Sequence, residues 1–223
     1  MNSNTVQLLT HMGDDLMVVN CARASYDKQS TEITEKDEKL LKYLYEHKHI
    51  APFYHPKLQY RITCPIYVER QLTKTSVGVN LNQEIDVDIN SISGRYVDFS
   101  DSYTTIKEWR KQSTSSKQGS DGLVENQYEC NRIQELVLSV CKTAYNELIE
   151  LGVAKEQARS ILPLNLNTTF IWTGSLYALL RLCELRIKPD AQYETRIVVE
   201  EMLRQIKAIE GNPFEYTIKA FGL

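Results

Sequence analysis

The chain has 223 residues, of which 42% are hydrophobic and 25% charged, a balance typical of one folded globular domain and not of a disordered or fibrous chain. The formal net charge of -3 argues against a protein that coats nucleic acid, because such proteins concentrate lysine and arginine. No stretch approaches the ~18 apolar residues of a membrane span, and the N-terminus lacks a signal-peptide pattern. These features predict one cytoplasmic domain, residues 1–223, that binds neither nucleic acid nor membrane.

Two helices are predicted before residue 50. Between Asp14 and Ala24 apolar residues recur at helical spacing. Further on, Thr34 and Asp37 have the spacing of a capping box, ahead of a second set of apolar residues at helical spacing. Both segments are therefore interpreted as helices with one apolar face.

A strand is predicted next, because apolar and polar residues alternate from Leu58 to Cys64. After Pro65 the alternation restarts at Ile66 and Val68, as in an edge or bulged strand. This interpretation makes the strand lead directly into Arg70 and Gln71.

A polar loop and a long helix follow. Residues 113–120 contain no apolar side chain, so they cannot bury enough surface to offset the entropy of ordering, and a mobile surface loop is expected over about residues 100–126. Apolar residues then trace one helix face from Ile133 to Ile149, and Gly152 ends the helix.

The C-terminal part is predicted as a strand followed by two helices. Residues 168–173 are dominated by β-branched and aromatic residues, which favour a strand, and Ser175 is placed to cap the next helix. A last helix spans about residues 191–209, with Glu200 and Arg204 as a supporting pair four residues apart. The sequence shows no internal repeat and no boundary between independent domains. The predicted architecture is α+β.

The tripeptide Ser93-Gly94-Arg95 is the first candidate for chemistry. Glycine lets the backbone come close to a ligand, and serine and arginine donate hydrogen bonds to anionic oxygens. The same tripeptide also suits an ordinary polar turn. Arg159 and Arg186 are further candidates, although a cation at the end of a helix commonly serves the helix dipole.

Cysteine and histidine do not predict a metal or redox site. The five cysteines contain no C-x-x-C and lie mostly within apolar patterns, which indicates buried reduced thiols. The cluster His47, His49 and His55 has no supporting cysteine or carboxylate spacing, so a role at a helix end is favoured over metal binding.

Taken in order, five stretches resemble the flavin-dependent thymidylate synthases. They are MGDDLMVVNCARASYD (12–27), KLLKYLYEHKHIAPFYH (39–55), CPIYVERQ (64–71), NSISGRY (90–96) and EQARSILPLNLNTTFIWT (156–173). The resemblance implies helices packed on a central antiparallel or mixed sheet, and a homotetramer with FAD and nucleotide sites between subunits. It also implies C5 methylation of dUMP to dTMP, with methylenetetrahydrofolate as carbon donor, reduced FAD as hydride source and NADPH as reductant.

The resemblance assigns a nucleotide role to seven residues. Arg186 falls where the family's arginine contacts the pyrimidine and favours the base deprotonated at N3; a fixed guanidinium there would raise electron density at C5. Arg95 and Arg159 would clamp the phosphate. The residues expected to bind dUMP are Gln71, Lys74, Ser93, Gly94, Arg95 and Arg159.

The flavin half of the resemblance departs from the family pattern R-H-R-x7-S. Lys74, Thr75 and Ser76 stand at its R-H-R positions, and Glu84 replaces its serine. An inserted loop of about residues 77–89 is the simplest account of the late arrival of Ser93. The residues placed at flavin positions are Ser25, His49, Lys74, Thr75, Ser76, Ser175, Tyr177 and Arg181.

Two other functions are compatible with the altered signature. One is a diverged pyrimidine nucleotide 5-hydroxymethyltransferase that keeps the folate chemistry but has altered or lost flavin use. The other is an inactive nucleotide-binding subunit.

Overall fold

A four-stranded antiparallel sheet organises the computed structural model, which describes residues 4–76, 87–94, 102–115 and 119–223. The strand order in this sheet is β1, β2, β6, β3, and a separate hairpin is formed by β4 and β5. The strands are β1 (Thr5–Met12), β2 (Lys57–Pro65), β3 (Val87–Ser91), β4 (Arg110–Gln112), β5 (Ser120–Leu123) and β6 (Asn167–Ser175).

Helices precede, connect and follow these strands. They are α1 (Asp15–Arg23), α2 (Glu35–Glu46), α3 (Ile66–Ser76), α4 (Gln127–Glu150), α5 (Lys155–Ala158), α6 (Leu176–Arg186), α7 (Tyr193–Lys207) and α8 (Glu215–Ala220). Short 3-10 helices span Ala24–Tyr26, Ala51–Tyr54 and Arg159–Ile161. The α+β architecture predicted from the sequence is confirmed.

Most predicted elements form, and their caps act as the sequence indicates. The Thr34 backbone N–H and hydroxyl donate to Asp37 Oδ2 at 2.9 and 2.6 Å. At the start of α6, Ser175 Oγ accepts the backbone N–H of Ala178 at 3.0 Å. Beyond α4, Gly152 adopts a φ of +85°, a backbone conformation that suits glycine at a helix end.

The prediction that the strand continues after Pro65 is wrong, because Ile66 begins α3. Val68 and Leu72, one helical turn apart, are both buried, and this spacing outweighs the short alternation read from residues 66 and 68. In addition, β2 is an inner strand, paired with both β1 and β6. Arg70 and Gln71 therefore lie on a helix.

Residues 100–126, expected to form a mobile loop, instead contain the β4–β5 hairpin. Within the expected insertion, residues 77–86 lie outside the described ranges, whereas residues 87–89 belong to β3. The pair expected between Glu200 and Arg204 is also different: Arg204 Nε lies 2.6 Å from Glu201 Oε2, and Glu200 lies 3.8 Å from Arg196. The sequence interpretation missed β1 and α8.

The core lies between the sheet and the helices that cover it. On β2 the alternate residues Leu58, Tyr60, Ile62 and Cys64 are buried, and Val198, Met202 and Ile206 of α7 belong to the same cluster. All five cysteines are free; Cys64 and Cys183 are buried and the other three are half-buried. Over the described ranges, no helix is long and apolar enough to cross a membrane, and no group of three or more His, Cys, Asp or Glu side chains could hold a metal ion.

Candidate active site

The structure brings Arg186, Gln71 and Thr75 together where the end of α6 meets α3. Arg186 Nη2 donates to the Gln71 carbonyl oxygen at 3.2 Å and to Thr75 Oγ1 at 3.0 Å. Its Nε donates to the same hydroxyl at 3.2 Å. The sequence placed these residues in three different roles, and their mutual contact was not foreseen. It depends on α3 being a helix, which puts Gln71 and Thr75 on one face.

Arg186 and Gln71 line a cavity of about 640 Å³. The loop before α7 and the start of α7 form a second wall, and the β4–β5 hairpin forms a third. The other lining residues are Arg110, Gln112, Gly119, Ser120, Asp190, Ala191, Gln192, Tyr193 and Glu194. The mainly polar character of these side chains suits a polar ligand.

Arg110 fixes the hairpin to α7. Its Nη2 lies 2.5 Å from Glu194 Oε1, its Nε donates to Ser120 Oγ at 2.9 Å, and its guanidinium carbon lies 4.6 Å from the ring centre of Tyr193. Beside it, Trp109 Nε1 donates to Asn131 Oδ1 of α4 at 2.9 Å. The sequence interpretation missed these residues; the signal available was Trp109-Arg110, two residues before the polar run 113–120.

The phosphate end of the predicted site is only partly described. Ser93 and Gly94 follow β3, where the Ile92 N–H donates to the Thr169 carbonyl oxygen at 2.8 Å, and Gly94 is buried. Arg95 lies outside the described ranges. Arg159 is exposed at the start of a 3-10 helix, and its Nε donates to the Glu156 carbonyl oxygen at 3.4 Å. The clamp formed by Arg95 and Arg159 stays a prediction.

The residues at flavin positions on α6 have different environments. Ser175 is fully buried and its hydroxyl caps the helix, so this side chain does not suit a cofactor contact. Tyr177 is half-buried, with its ring centre 5.5 Å from that of Tyr54. Arg181 Nη1 lies 3.1 Å from Glu184 Oε2, and its side chain is 42% exposed.

Glu184 also accepts a short hydrogen bond from the Tyr45 hydroxyl. This bond, together with burial and the carboxylate charge, raises the pKa of Tyr45 to about 12. Tyr45 therefore remains a neutral hydrogen-bond donor at ordinary pH.

Three of the other flavin positions are exposed to solvent. Ser25, His49 and Lys74 are exposed, whereas Thr75 is buried against Arg186, and the side chain of Ser76 lies outside the description. The exposed ammonium of Lys74 suits the pyrophosphate of a dinucleotide, as does the half-buried guanidinium of Arg181, which is paired with Glu184. The donor set therefore fits FAD through its exposed members, and Ser175 and Thr75 are engaged inside the protein.

Known proteins share the sequence motifs and the fold of this chain. Residues 7–210 match the family described as thymidylate synthase complementing protein. The flavin-dependent thymidylate synthase of Thermus thermophilus is 35% identical over 86% of this chain and 67% of the relative. That of Kosmotoga olearia is 36% identical over 85% and 79%.

A solved structure shows the same fold. The UMP/dUMP methylase PolB from Streptomyces cacaoi, bound with 5-Br dUMP, superposes with a TM-score of 0.82 at 24% identity, covering 98% of this chain and 94% of PolB. The expected fold class and the sequence resemblance are both confirmed. The chain belongs to the flavin-dependent thymidylate synthase family.

Proposed function

We propose that the protein methylates dUMP at C5 to give dTMP, with methylenetetrahydrofolate as carbon donor and NADPH as reductant. For a chain of this family, one observation carries the proposal. Arg186, at the end of α6, is hydrogen-bonded to α3 and lines a polar cavity of about 640 Å³. The cytoplasmic location inferred from the sequence belongs to the same proposal.

Arg186 is suited to act on the pyrimidine. Its hydrogen bonds to α3 use Nε and Nη2, and no carboxylate pairs with it within the described ranges. A half-buried guanidinium without a counter-ion keeps its positive charge for a ligand. Placed against the base, it would stabilise the N3-deprotonated ring and increase electron density at C5, where the new carbon bond forms.

The phosphate would bind at the end of β3. Gly94 allows close approach of the backbone, and Ser93 with Arg95 supplies donors to the anionic oxygens. Arg159 would complete the clamp, while Gln71 and Lys74 would contact the nucleotide from α3.

Ser25, His49, Lys74, Tyr177 and Arg181 would hold FAD through their accessible polar groups. When bound and reduced, FAD would supply the hydride that completes the methyl group. Thr75, another signature position on α3, would not contact FAD, because its hydroxyl is hydrogen-bonded to Arg186.

We infer a homotetramer from the family resemblance and from α4. Ile133, Leu136, Val137 and Val140 lie on one face of this helix and are each between 47% and 58% exposed. Contiguous exposed apolar side chains of this kind mark association surfaces. A second subunit covering α4 would bury them.

Thr75 stands at a predicted flavin position, but its hydroxyl is hydrogen-bonded to Arg186 inside the protein. This observation also favours a second candidate, a 5-hydroxymethyltransferase without flavin. An anaerobic assay separates the possibilities: protein, methylenetetrahydrofolate and dUMP, with and without FAD and NADPH, with products identified by mass spectrometry. We expect dTMP only in the complete mixture. A hydroxymethyl product formed without FAD would favour the second candidate, and binding of dUMP with no product would indicate an inactive subunit.

A further inference from the structure

The Thr75 hydroxyl makes three hydrogen bonds inside the protein. It donates to the Gln71 carbonyl oxygen one turn earlier at 3.2 Å, and it accepts two N–H bonds from Arg186, at 3.0 and 3.2 Å. Thr75 is buried, so water does not compete for these bonds. The hydroxyl therefore connects the α3 backbone to the guanidinium at the end of α6.

Two contacts together define the plane of the guanidinium. Thr75 Oγ1 bridges Nε and Nη2, and the Gln71 carbonyl oxygen accepts from Nη2 as well. An arginine side chain has several rotatable bonds, and roughly 2 kcal/mol of rotamer entropy is associated with it. Holding one edge of the planar group fixes the direction of the opposite edge, which carries Nη1.

We propose that Thr75 is a positioning residue that orients Arg186 towards the nucleotide cavity. Sequence resemblance placed Thr75 among the flavin residues; the hydrogen bonds assign it to the pyrimidine side instead. The inference rests on the proposed function for its catalytic consequence, but the position of the guanidinium itself is independent of it. Thr75 acts through Arg186 and does not touch the base.

The proposal predicts a particular kinetic pattern. Misdirecting Arg186 weakens stabilisation of the N3-deprotonated base, which matters most in the transition state, while the phosphate contacts that dominate binding remain. Thr75→Val, which keeps the shape and removes the hydroxyl, should lower kcat by about tenfold to a hundredfold and change KM for dUMP by less than about threefold. Thr75→Ser should recover at least about half of the lost activity.

Three further measurements separate positioning from a general loss of structure. Thr73→Val is the matched control: it removes a hydroxyl on the same helix that donates to the Arg70 carbonyl oxygen at 3.2 Å, and it should leave kcat unchanged. In an Arg186→Ala background, Thr75→Val should cost nothing further, because both changes remove one unit. The pH dependence of the ultraviolet spectrum of bound 5-fluoro-dUMP should shift upward in Thr75→Val, reporting weaker stabilisation of the ionised ring.

Crystal structures of wild type and Thr75→Val without nucleotide test the inference separately from the reaction. We expect the guanidinium to leave its wild-type position in Thr75→Val. An unmoved guanidinium, or wild-type kcat together with an unshifted base titration, would overturn the positioning role. Failure of the wild-type protein to bind or convert dUMP would overturn the proposed function instead, and the crystal comparison would still decide the role of Thr75.

Discussion

Gly174 on β6 lies against the indole of Trp172, two residues earlier on the same strand. A Cβ at residue 174 would lie 2.7 Å from Cη2 and 2.9 Å from Cζ2 of that ring, closer than real Cβ contacts allow. Because the ring is buried among core residues, it has little room to move. Gly174→Ala should therefore lower the free energy of unfolding by about 1 to 3 kcal/mol, measured by urea denaturation.

The control for this prediction is a smaller ring at residue 172. In a Trp172→Phe background the added methyl group has space, so Gly174→Ala should cost clearly less. Equal costs in both backgrounds would show that the indole is not the cause.

Asp15 predicts a pH dependence of stability. Its carboxylate is buried at the start of α1 and accepts backbone N–H bonds from Tyr216 at 2.8 Å and Thr217 at 3.0 Å. Burial outweighs these bonds and raises its pKa from 3.8 to about 6. The folded state therefore binds this proton more tightly than the unfolded state, so the stability from Asp15 is greatest below pH ~4 and falls as the pH rises through ~6.

Comparison with Asp15→Asn isolates this contribution from other titrating groups. The unfolding free energy of wild type minus that of the variant should decrease between pH 4 and pH 7, by up to about 3 kcal/mol. Urea denaturation at four pH values measures it. A constant difference would show that the two N–H donors offset burial, and a difference that increases with pH would show that they outweigh it.

At the residue scale the sequence selected three residues that the structure brings together, but it did not predict the contacts between them. Gln71, Thr75 and Arg186 all came from the order of motifs, and the structure brings them together. Their hydrogen bonds could not be predicted, because the alternation at Ile66 and Val68 predicts a strand leading into Gln71, where the structure has the helix α3. In a strand, Gln71 and Thr75 would be too far apart to share one guanidinium.

Among the elements, the β4–β5 hairpin is joined to α7 by the ion pair of Arg110 with Glu194, which can be removed. The side chains of Arg110 and Glu194 are 22% and 13% exposed, so their ion pair is partly shielded from water. Arg110→Ala should free the hairpin from α7 and speed amide hydrogen exchange at residues 110–112 and 120–123. A charged hydrogen bond of this kind contributes about 1.5 to 3 kcal/mol, so exchange should accelerate at least tenfold.

Arg204→Ala is the control for the hairpin, because its pair with Glu201 lies on the same helix α7 but is 65% and 35% exposed. Such surface pairs contribute at most about 1 kcal/mol, and hairpin exchange should not change. Unchanged exchange in Arg110→Ala would mean that the hydrogen bonds of Trp109 to Gln127 and Asn131 of α4 hold the hairpin without Arg110.

Elements whose apolar residues repeat at a clear spacing could be predicted from the sequence, and the others could not. The residues of α4 and α6 repeat at helical spacing over many positions, and β6 is rich in β-branched and aromatic residues. By contrast, β1 is an edge strand with little burial along its second half, so its alternation is weak. The hairpin is held by polar contacts between distant residues, which leave no periodic signal in the sequence.

For the whole molecule, the exposed apolar face of α4 predicts association with a second subunit. Four apolar side chains each about half exposed are costly in water, and a partner subunit would bury them. We expect wild type to sediment as a tetramer at micromolar concentration. Val140→Lys would place a charge in the proposed interface and should dissociate the assembly, with little effect on the fold of each chain.

Glu135→Lys is the matched control, since residue 135 is exposed on α4 away from the face that carries Val140. It adds the same side chain to the same helix and should leave the tetramer intact, as measured by sedimentation velocity, with circular dichroism to confirm folding. If flavin and nucleotide sites lie between subunits, Val140→Lys should also lose FAD binding while Glu135→Lys retains it. A monomeric wild type, or a Val140→Lys variant that stays tetrameric, would exclude α4 as the assembly surface.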